Sequence, residues 1–447
     1  MAHVVRGMIG VGLLLGALPA LAQGVALSAV DPVGIARSGV QVAYGYSLEA
    51  ATSNPALLSS LRDKSSAYLA FGVELSGIQQ SMESNQQTAF SINRNRSIGG
   101  FGLAVRTSPT LTLGLKLDEP YLFHRQLVDT APSRFLGDGF DFSARRLEGQ
   151  LAWSLSPNLS LGVGLGVARL GFDATTVLRL GVPGSISTAV DGLVEQRVGE
   201  SGNKVVPSYS LGLRWAMNPR WTLGFTHQSG LKGDLSLKAD YRGAVLGLYA
   251  NDGLSSAAQG TAARAAALLA ASTPQVGSST LELPSQTAIG VRHRITPGLT
   301  LETDVRWTSA NLTVPNFASV KTPTGVTRSP SELPATKGHL GIGVSSELEL
   351  GKFWTLRAGL FLDQPSVQAS TIEPLLGGSR TADFSIGVGF KTWGGELNFG
   401  YQYRQSEDQD TTRLGGVWSS TGYRGVGTRS RMEGMGHLLA LGFRKSF

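Results

Sequence analysis

From residue 65 onward the chain alternates between apolar and polar positions in short runs. Beginning at Leu159, LSLGVGLGVARLG puts Leu159, Leu161, Val163, Leu165 and Val167 on one parity and Ser160, Gly162, Gly164, Gly166 and Ala168 on the other. LTLETDVRW, from Leu299, sets Leu299, Leu301, Val305 and Trp307 against Thr300, Glu302, Asp304 and Arg306. A period of two predicts strands with one apolar and one polar face. A soluble sandwich would give the same rhythm, so the period alone does not separate it from a membrane barrel.

Two further patterns separate them. Arg106, Lys116, Arg146, Arg214, Arg292, Arg306, Arg357, Lys391 and Arg404 share the polar parity with Glu148, Glu302, Asp304 and Glu396, while Trp153, Trp215, Trp221, Phe225, Trp307, Phe399 and Tyr401 take the other. Charge confined to one face, with aromatics on the opposite one, fits a polar lumen and a lipid-facing wall. Very short turns at 108–110, 156–158, 218–220, 296–298, 350–352 and 393–395 alternate with long segments near 172–203, 240–280, 311–335, 363–380 and 405–433. That asymmetry belongs to periplasmic turns and extracellular loops. The expected strands are 66–80, 88–107, 110–128, 141–155, 159–172, 204–217, 221–240, 280–295, 299–311, 336–349, 353–365, 379–391, 395–407 and 434–447, which makes a 14-stranded antiparallel transmembrane β-barrel.

The third of these strands contains an anomaly, LTLGLKLDEPYLF (111–123). Leu111, Leu113, Leu115 and Leu117 alternate cleanly until Asp118, Glu119 and Pro120 interrupt them, and Tyr121 and Phe123 then resume the outward, odd parity. Proline has no N–H for a ladder, and a closed barrel has no edge to hide it on. An irregularity in the wall is therefore expected at this point.

The start of the chain reads differently. MAHVVRGMIGVGLLLGALPALAQ carries Arg6, an apolar run from Met8 to Leu18 and a small-x-small site at Ala20-Leu21-Ala22, which predicts a secretory signal peptide over 1–22. Residues 23–65 lack the barrel rhythm yet are rich in Ile35, Val40, Val42, Tyr44, Leu48, Leu57, Leu58 and Leu61. So apolar a segment is expected to fold inside the lumen as a plug, with the barrel over 66–447. The alternation in HLLALGFRKSF, closing on Phe447, resembles the terminal strand signal that barrel-assembly machinery reads.

The chain has 447 residues, 58 Gly, no Cys and a formal charge of +7. It offers neither a disulfide framework nor a cysteine-ligated metal, and no cofactor is expected. The charge favours anionic neighbours, but no basic run interleaved with aromatics points to nucleic acid. An exported barrel is expected in the cell outer membrane of a Gram-negative bacterium, as a monomer among outer-membrane lipid and lipopolysaccharide.

GIARSGVQVAYGYSLEAATSNPALLSSLRD, which contains Asn54, Pro55 and Ala56, is followed in order by LELPSQTAIGVRHRITPGLTLETDVRWTSANL, LRAGLFLDQPSVQAS and SIGVGFKTWGGELNFGYQYRQ. The first of these four stretches resembles the N-terminal hatch, with its Asn-Pro-Ala, of the FadL/TodX family of outer-membrane transporters of long-chain fatty acids and other hydrophobic compounds. The second is similar to that family's Leu-Pro segment and following hairpin, and the last two to its late strands. The resemblance implies passive uptake of a hydrophobic small molecule. Outer loops capture it, and a hatch change releases it sideways through the wall, where the family's third strand is kinked. Asp118, Glu119 and Pro120 are then the candidates for that opening.

Leu178, Leu180, Leu246, Leu248, Leu268 and Leu269 are candidates for the capture loops, the last two within an Ala-rich stretch with good helix propensity (257–271). For a ligand carboxylate, Arg106, Lys116, Arg146, Arg214, Arg292, Arg306 and Arg357 are all eligible, since guanidinium suits carboxylate. The alternatives are an outer-membrane acyl hydrolase and a general diffusion porin. His124, His227, His293, His339 and His437 lie on or near strands without a nucleophile motif, and an apolar plug would obstruct an open pore.

Overall fold

The protein is described here by a computed structural model covering residues 27, 29–45, 47–61, 63–82, 90–126, 139–180, 194–246, 273–275, 278–313, 319–322, 325–328, 336–366, 380–392, 394–406, 409–411, 415–419, 422–426 and 430–447. The expected signal peptide, Leu248, Leu268, Leu269 and the Ala-rich stretch lie outside these residues.

Fourteen strands form the wall: β1 (Ser65–Met82), β2 (Phe90–Arg106), β3 (Leu111–Gln126), β4 (Gly139–Ser154), β5 (Leu159–Leu180), β6 (Val194–Ala216), β7 (Trp221–Gln228), β8 (Gln286–Thr296), β9 (Leu299–Thr308), β10 (His339–Leu350), β11 (Trp354–Asp363), β12 (Thr381–Thr392), β13 (Gly395–Ser406) and β14 (Ser430–Ser446). Each pairs antiparallel with its neighbour in sequence, and β1 pairs β14 from Ser66↔Ser446 to Met82↔Ser430, closing the barrel. Closure follows from the solvent: lipid cannot satisfy a backbone amide, so a sheet crosses it only without a free edge.

The faces divide as the charge parity requires. Leu113, Leu115, Leu117, Leu147, Leu151, Leu165 and Ile386 are exposed on the outside, whereas Lys116, Arg146, Glu148, Glu302, Asp304, Glu347 and Arg357 are buried within. Trp153, Trp215, Trp221 and Trp354 stand exposed beside the short turns, as an interfacial aromatic girdle does.

Two expectations about the strands need correction. β7 leaves the wall after Gln228 instead of running to 240, and β8 begins at Gln286 instead of 280. Between them Leu231–Ser236 pairs with Ser278–Leu283 as a separate ribbon, whose Leu231, Leu235, Leu281 and Leu283 are buried against Phe142, Leu170, Phe172 and Val206. Gly230 and Pro284 flank the departure, where a ladder would weaken anyway. β5 and β6 also continue beyond the expected limits, pairing out to Leu180↔Val194.

Residues 27–61 run inside the wall. A short helix, α1 (Pro32–Ile35), starts at Asp31, whose Oδ1 accepts the Gly34 N–H at 2.7 Å, and the chain turns back through Ser38 and Gly39, both at positive φ. Two 3-10 helices follow, Glu49–Thr52 and Pro55–Ser60. Asn54 caps the second: its Oδ1 accepts from Ala56 N, while its Nδ2 donates to Val42 O at 2.8 Å and Leu213 O at 3.2 Å.

Lumen-facing glycines make room for this backbone. A Cβ on Gly359 would strike the Arg37 main chain, one on Gly162 the Pro55–Ala56 peptide and one on Gly400 the Pro32 carbonyl. Replacing Gly359 with Val should therefore cost about 1–3 kcal/mol by overpacking. The barrel is expected to assemble while residues 27–61 become protease-sensitive. Gly149→Val, on the outer face with only Leu165 O nearby at 3.8 Å, should leave digestion unchanged.

Candidate functional site

The wall is irregular at the anomalous third strand. Pairing of β3 with β4 shifts between Asp118↔Arg146 and Tyr121↔Ala144, so three steps on β3 match two on β4. This is a β-bulge, and the extra residue exchanges inside for outside beyond it. Tyr121 and Phe123 consequently point inward and are buried, contrary to the outward parity expected of them. On its other side β3 pairs β2 only from Arg106↔Thr112 to Phe101↔Leu117, although β2 continues along β1 to Gln80↔Phe90. Among the described residues, then, the β2–β3 ladder stops one residue before Asp118.

Groups from elsewhere meet the exposed edge. Leu27 N donates to Pro120 O at 3.2 Å, and Arg96 Nη1 reaches over from β2 to Phe123 O at 3.3 Å and Asp141 Oδ1 at 2.9 Å. Pro120 brings no N–H of its own to be left unsatisfied in lipid. Leu27, Val30 and Ile35 cluster with Ile98 and Leu122, so the N-terminal segment covers the break from within. Asp118 is fixed by a bidentate Arg146, at 2.9 and 2.6 Å, and Glu119 pairs with the outward Arg145.

Behind the break lies a small cavity of about 70 Å³, lined by Leu27, Val30, Val42, Pro120, Ala288 and Arg306. Toward the long-loop end the lumen is apolar instead. Phe123 stacks on Phe142 with centroids 5.1 Å apart, Phe140 meets Phe142 and Phe172 edge-on at 5.7 and 5.4 Å, and the leucines of the ribbon close over them. The Tyr121 hydroxyl donates to Pro284 O, tying the bulged strand to the ribbon's end.

The seven carboxylate candidates separate by their partners and by where they stand. Lys116 donates to Thr52 O at 2.9 Å and pairs with Glu148 at 3.1 Å, and Arg146 is held by Asp118. Arg357 bonds Glu347, Asn398 and Glu396 at 2.8, 2.7 and 3.0 Å. Arg292 lies 5.7 Å from the Tyr44 ring, Arg214 lies near Gly45, and Arg106 sits at the turn end of β2. Arg306 differs. It donates to Gly39 O at 3.0 Å, lies 4.7 Å over the Phe361 ring, and lines the cavity behind the break as well as a second one of about 40 Å³ with Leu312 and His339.

Of the capture candidates, Leu180 and Leu246 both pair with Val194, and Leu178 with Gln196, so these three stand on one extended sheet at the long-loop end. Sequence reasoning missed Arg37, fully buried against Glu302 at 2.7 Å, and the Phe140–Phe142–Phe172 cluster. The glycines on lumen parity were the available signal for the first, because a backbone must approach where side chains are withheld.

A sequence model of a family described as outer membrane protein transport protein (OMPP1/FadL/TodX) matches residues 13–447. Among solved structures, a FadL homologue of Pseudomonas aeruginosa is 16% identical, with 96% of this chain and 100% of that one covered at a TM-score of 0.74. The toluene transporter TodX of P. putida is 13% identical over 94% and 99% of the two chains, TM-score 0.65. The toluene transporter TbuX of Ralstonia pickettii is 12% identical over 94% and 99%, TM-score 0.58. At such identities the likeness is one of fold. No curated protein matches the chain.

One buried acid in the N-terminal segment gives the site a pH dependence. Burial, reinforced by the negative charge of Glu49, raises the Asp31 carboxyl from 3.8 to about 7. The seated segment thus keeps a proton that the released segment gives up near pH 4. Seating is fully favoured below that, weakens as pH climbs to about 7, and is flat above. Asp31→Asn, which retains a cap, should flatten this slope in protease-protection measurements between pH 4.5 and 8, and a slope identical to wild type would refute the assignment.

Proposed function

The chain belongs to the OMPP1/FadL/TodX family of outer-membrane transport proteins, and from that premise we propose that it admits long-chain fatty acids or hydrocarbons passively and releases them sideways into the bilayer. It is a Gram-negative outer-membrane barrel whose family transports hydrophobic compounds. The finer reading starts at the long-loop end, where the extended sheet around Leu178, Leu180 and Leu246 gathers ligand. The Phe-lined upper lumen passes it on, and the cavity behind β3 presents it to the break.

The observation that carries this reading is the end of the β2–β3 ladder at Leu117, with a cavity on its inner side and exposed leucines on its outer side. A straight path to the periplasm is filled by residues 27–61, which act in this proposal as the hatch. Lateral exit also has the energetic advantage. Each methylene kept out of water is worth ~0.8 kcal/mol, which a long acyl chain would forfeit on entering the periplasm. Movement of Leu27–Val30 away from Pro120 and Leu122 opens the route. That step costs one backbone hydrogen bond and a small apolar contact, so ligand binding can supply it.

Arg306 is the group that would meet a carboxylate, because it lines the cavity behind the break and donates to one carbonyl, with Asp304 as a longer-range electrostatic neighbour. The monoaromatic substrates named for TodX and TbuX carry no charge, and a hydrocarbon would not need it. Arg306→Met should reduce fatty-acid uptake about tenfold, corresponding to ~1.4 kcal/mol, and spare toluene uptake. Pro120→Val, which restores an amide donor to the edge, should lower uptake of both several-fold at equal outer-membrane levels. Undiminished uptake in that variant would sink lateral release, and rapid sugar permeation through reconstituted protein would sink the plugged barrel.

A further inference from the structure

On the lipid-facing parity of the described wall, two like charges stand side by side. Arg145 of β4 and Arg169 of β5 are directly opposed cross-strand partners, both exposed. Like charges so placed repel each other, and nothing in the apolar wall below rewards them. Arg145 spends its Nε on Glu119, whereas Arg169 has no hydrogen bond or ion pair among the described residues. The next rows of the wall pair Ser143 with Gly171 and Gly171 with Asn203, then Asp141 with Asp173 and Asp173 with Ser201. Ser201 in turn pairs with Lys238, which is exposed.

These residues line a groove of about 640 Å³. Its floor is small side chains, Ser143, Gly171 and Asn203, and its rim carries Arg145, Arg169 and Lys238. Of its carboxylates, Asp141 is already engaged by Arg96 and by His124 at 2.7 Å. Immediately toward the turns lie Leu147, Leu165, Val167 and Val205, all exposed. Two adjacent arginines above an apolar track, with Lys238 two rows further out, at the end of the wall away from the periplasmic turns, match a molecule with a phosphorylated head and several acyl chains.

We propose that Arg145, Arg169 and Lys238 form a binding site for the phosphorylated headgroup of lipopolysaccharide, with its acyl chains lying along Leu147, Leu165, Val167 and Val205. Guanidinium and ammonium donors take phosphate oxygens, and the anion removes the repulsion between the two arginines. Because Arg145 also holds Glu119 in the bulge, the bound glycolipid stands beside the break in the wall. The site is distinct from the lumen and does not depend on which ligand is transported.

The test is native mass spectrometry of the full-length mature protein in mild detergent, titrated with bisphosphorylated hexa-acyl lipid A, its dephosphorylated form, or inorganic phosphate. One bisphosphorylated lipid should remain bound through activation. The dephosphorylated form should bind at least tenfold more weakly, and millimolar phosphate should not displace the lipid. R145Q/R169Q should lose that retention at least tenfold, while R220Q, in a periplasmic turn, should keep it. Equal retention of both lipids would overturn the proposal by reducing the site to an apolar annulus, and displacement by free phosphate would overturn it in favour of a soluble-anion site. Should the double variant fail to assemble, as judged by heat-modifiable gel mobility, K238Q and the wild-type comparison of the two lipids decide the question alone.

Discussion

A bilayer offers nothing to an unpaired amide, and that constraint governs the whole molecule. Each unsatisfied backbone group in hydrocarbon costs several kcal/mol, so thirteen sequential pairings and the β1–β14 seam leave the wall without a terminal edge. Against this rule, the departure of β3 from β2 is conspicuous because it has been made tolerable. Proline removes a donor, Leu27 N and Arg96 occupy two acceptors, and the bulge turns Tyr121 and Phe123 into the protein. Every one of these devices would be superfluous in an intact ladder.

The lumen obeys the opposite economy. Its strands present acids and bases to one another and to the main chain of residues 27–61: Glu302 to Arg37 and Ala43 N, Asp304 to Val42 N, Tyr44 to Glu347, Thr226 and Gln150 to the carbonyls of Ser53 and Ala51. Ion pairs this buried are poor sources of net stability, because desolvation offsets their attraction. They are good at fixing a unique position, since any shift leaves a charge without its partner. The segment is therefore placed by polar specificity and leaves apolar contact for the region around the break.

Legibility followed the chemistry of each feature. The strand count, the faces and the short turns were plain in the sequence because period two and the charge parity are direct consequences of a wall between lipid and water. The location of the irregularity at Asp118–Pro120 was legible too, since proline contradicts a ladder. Its consequence was not: whether an extra residue is accommodated as a bulge depends on the partner strand, so the inward turn of Tyr121 and Phe123 had no local signal. The inward ribbon at Leu231–Ser236 was hidden for a similar reason, its alternation being as good for a free ribbon as for a wall strand. Among seven lumen cations, the distinction of Arg306 lay in where the fold put it, at the wall of the cavity behind the break, and parity carries no signal of that.

The seating of residues 27–61 also bears on how the protein is made. Only residues 62–64 separate the buried segment from β1, and β1 is one of the two strands of the closing seam. Once Ser66 to Met82 has zipped onto β14, sideways entry is closed, and Arg37 reaches Glu302 only by way of a mouth of the barrel. The short tether holds the segment at the turn-end mouth throughout, because Ser65 is bonded to Phe447 at that rim. Docking is then an intramolecular event at high effective concentration, and a segment that leaves its seat is kept within reach of it.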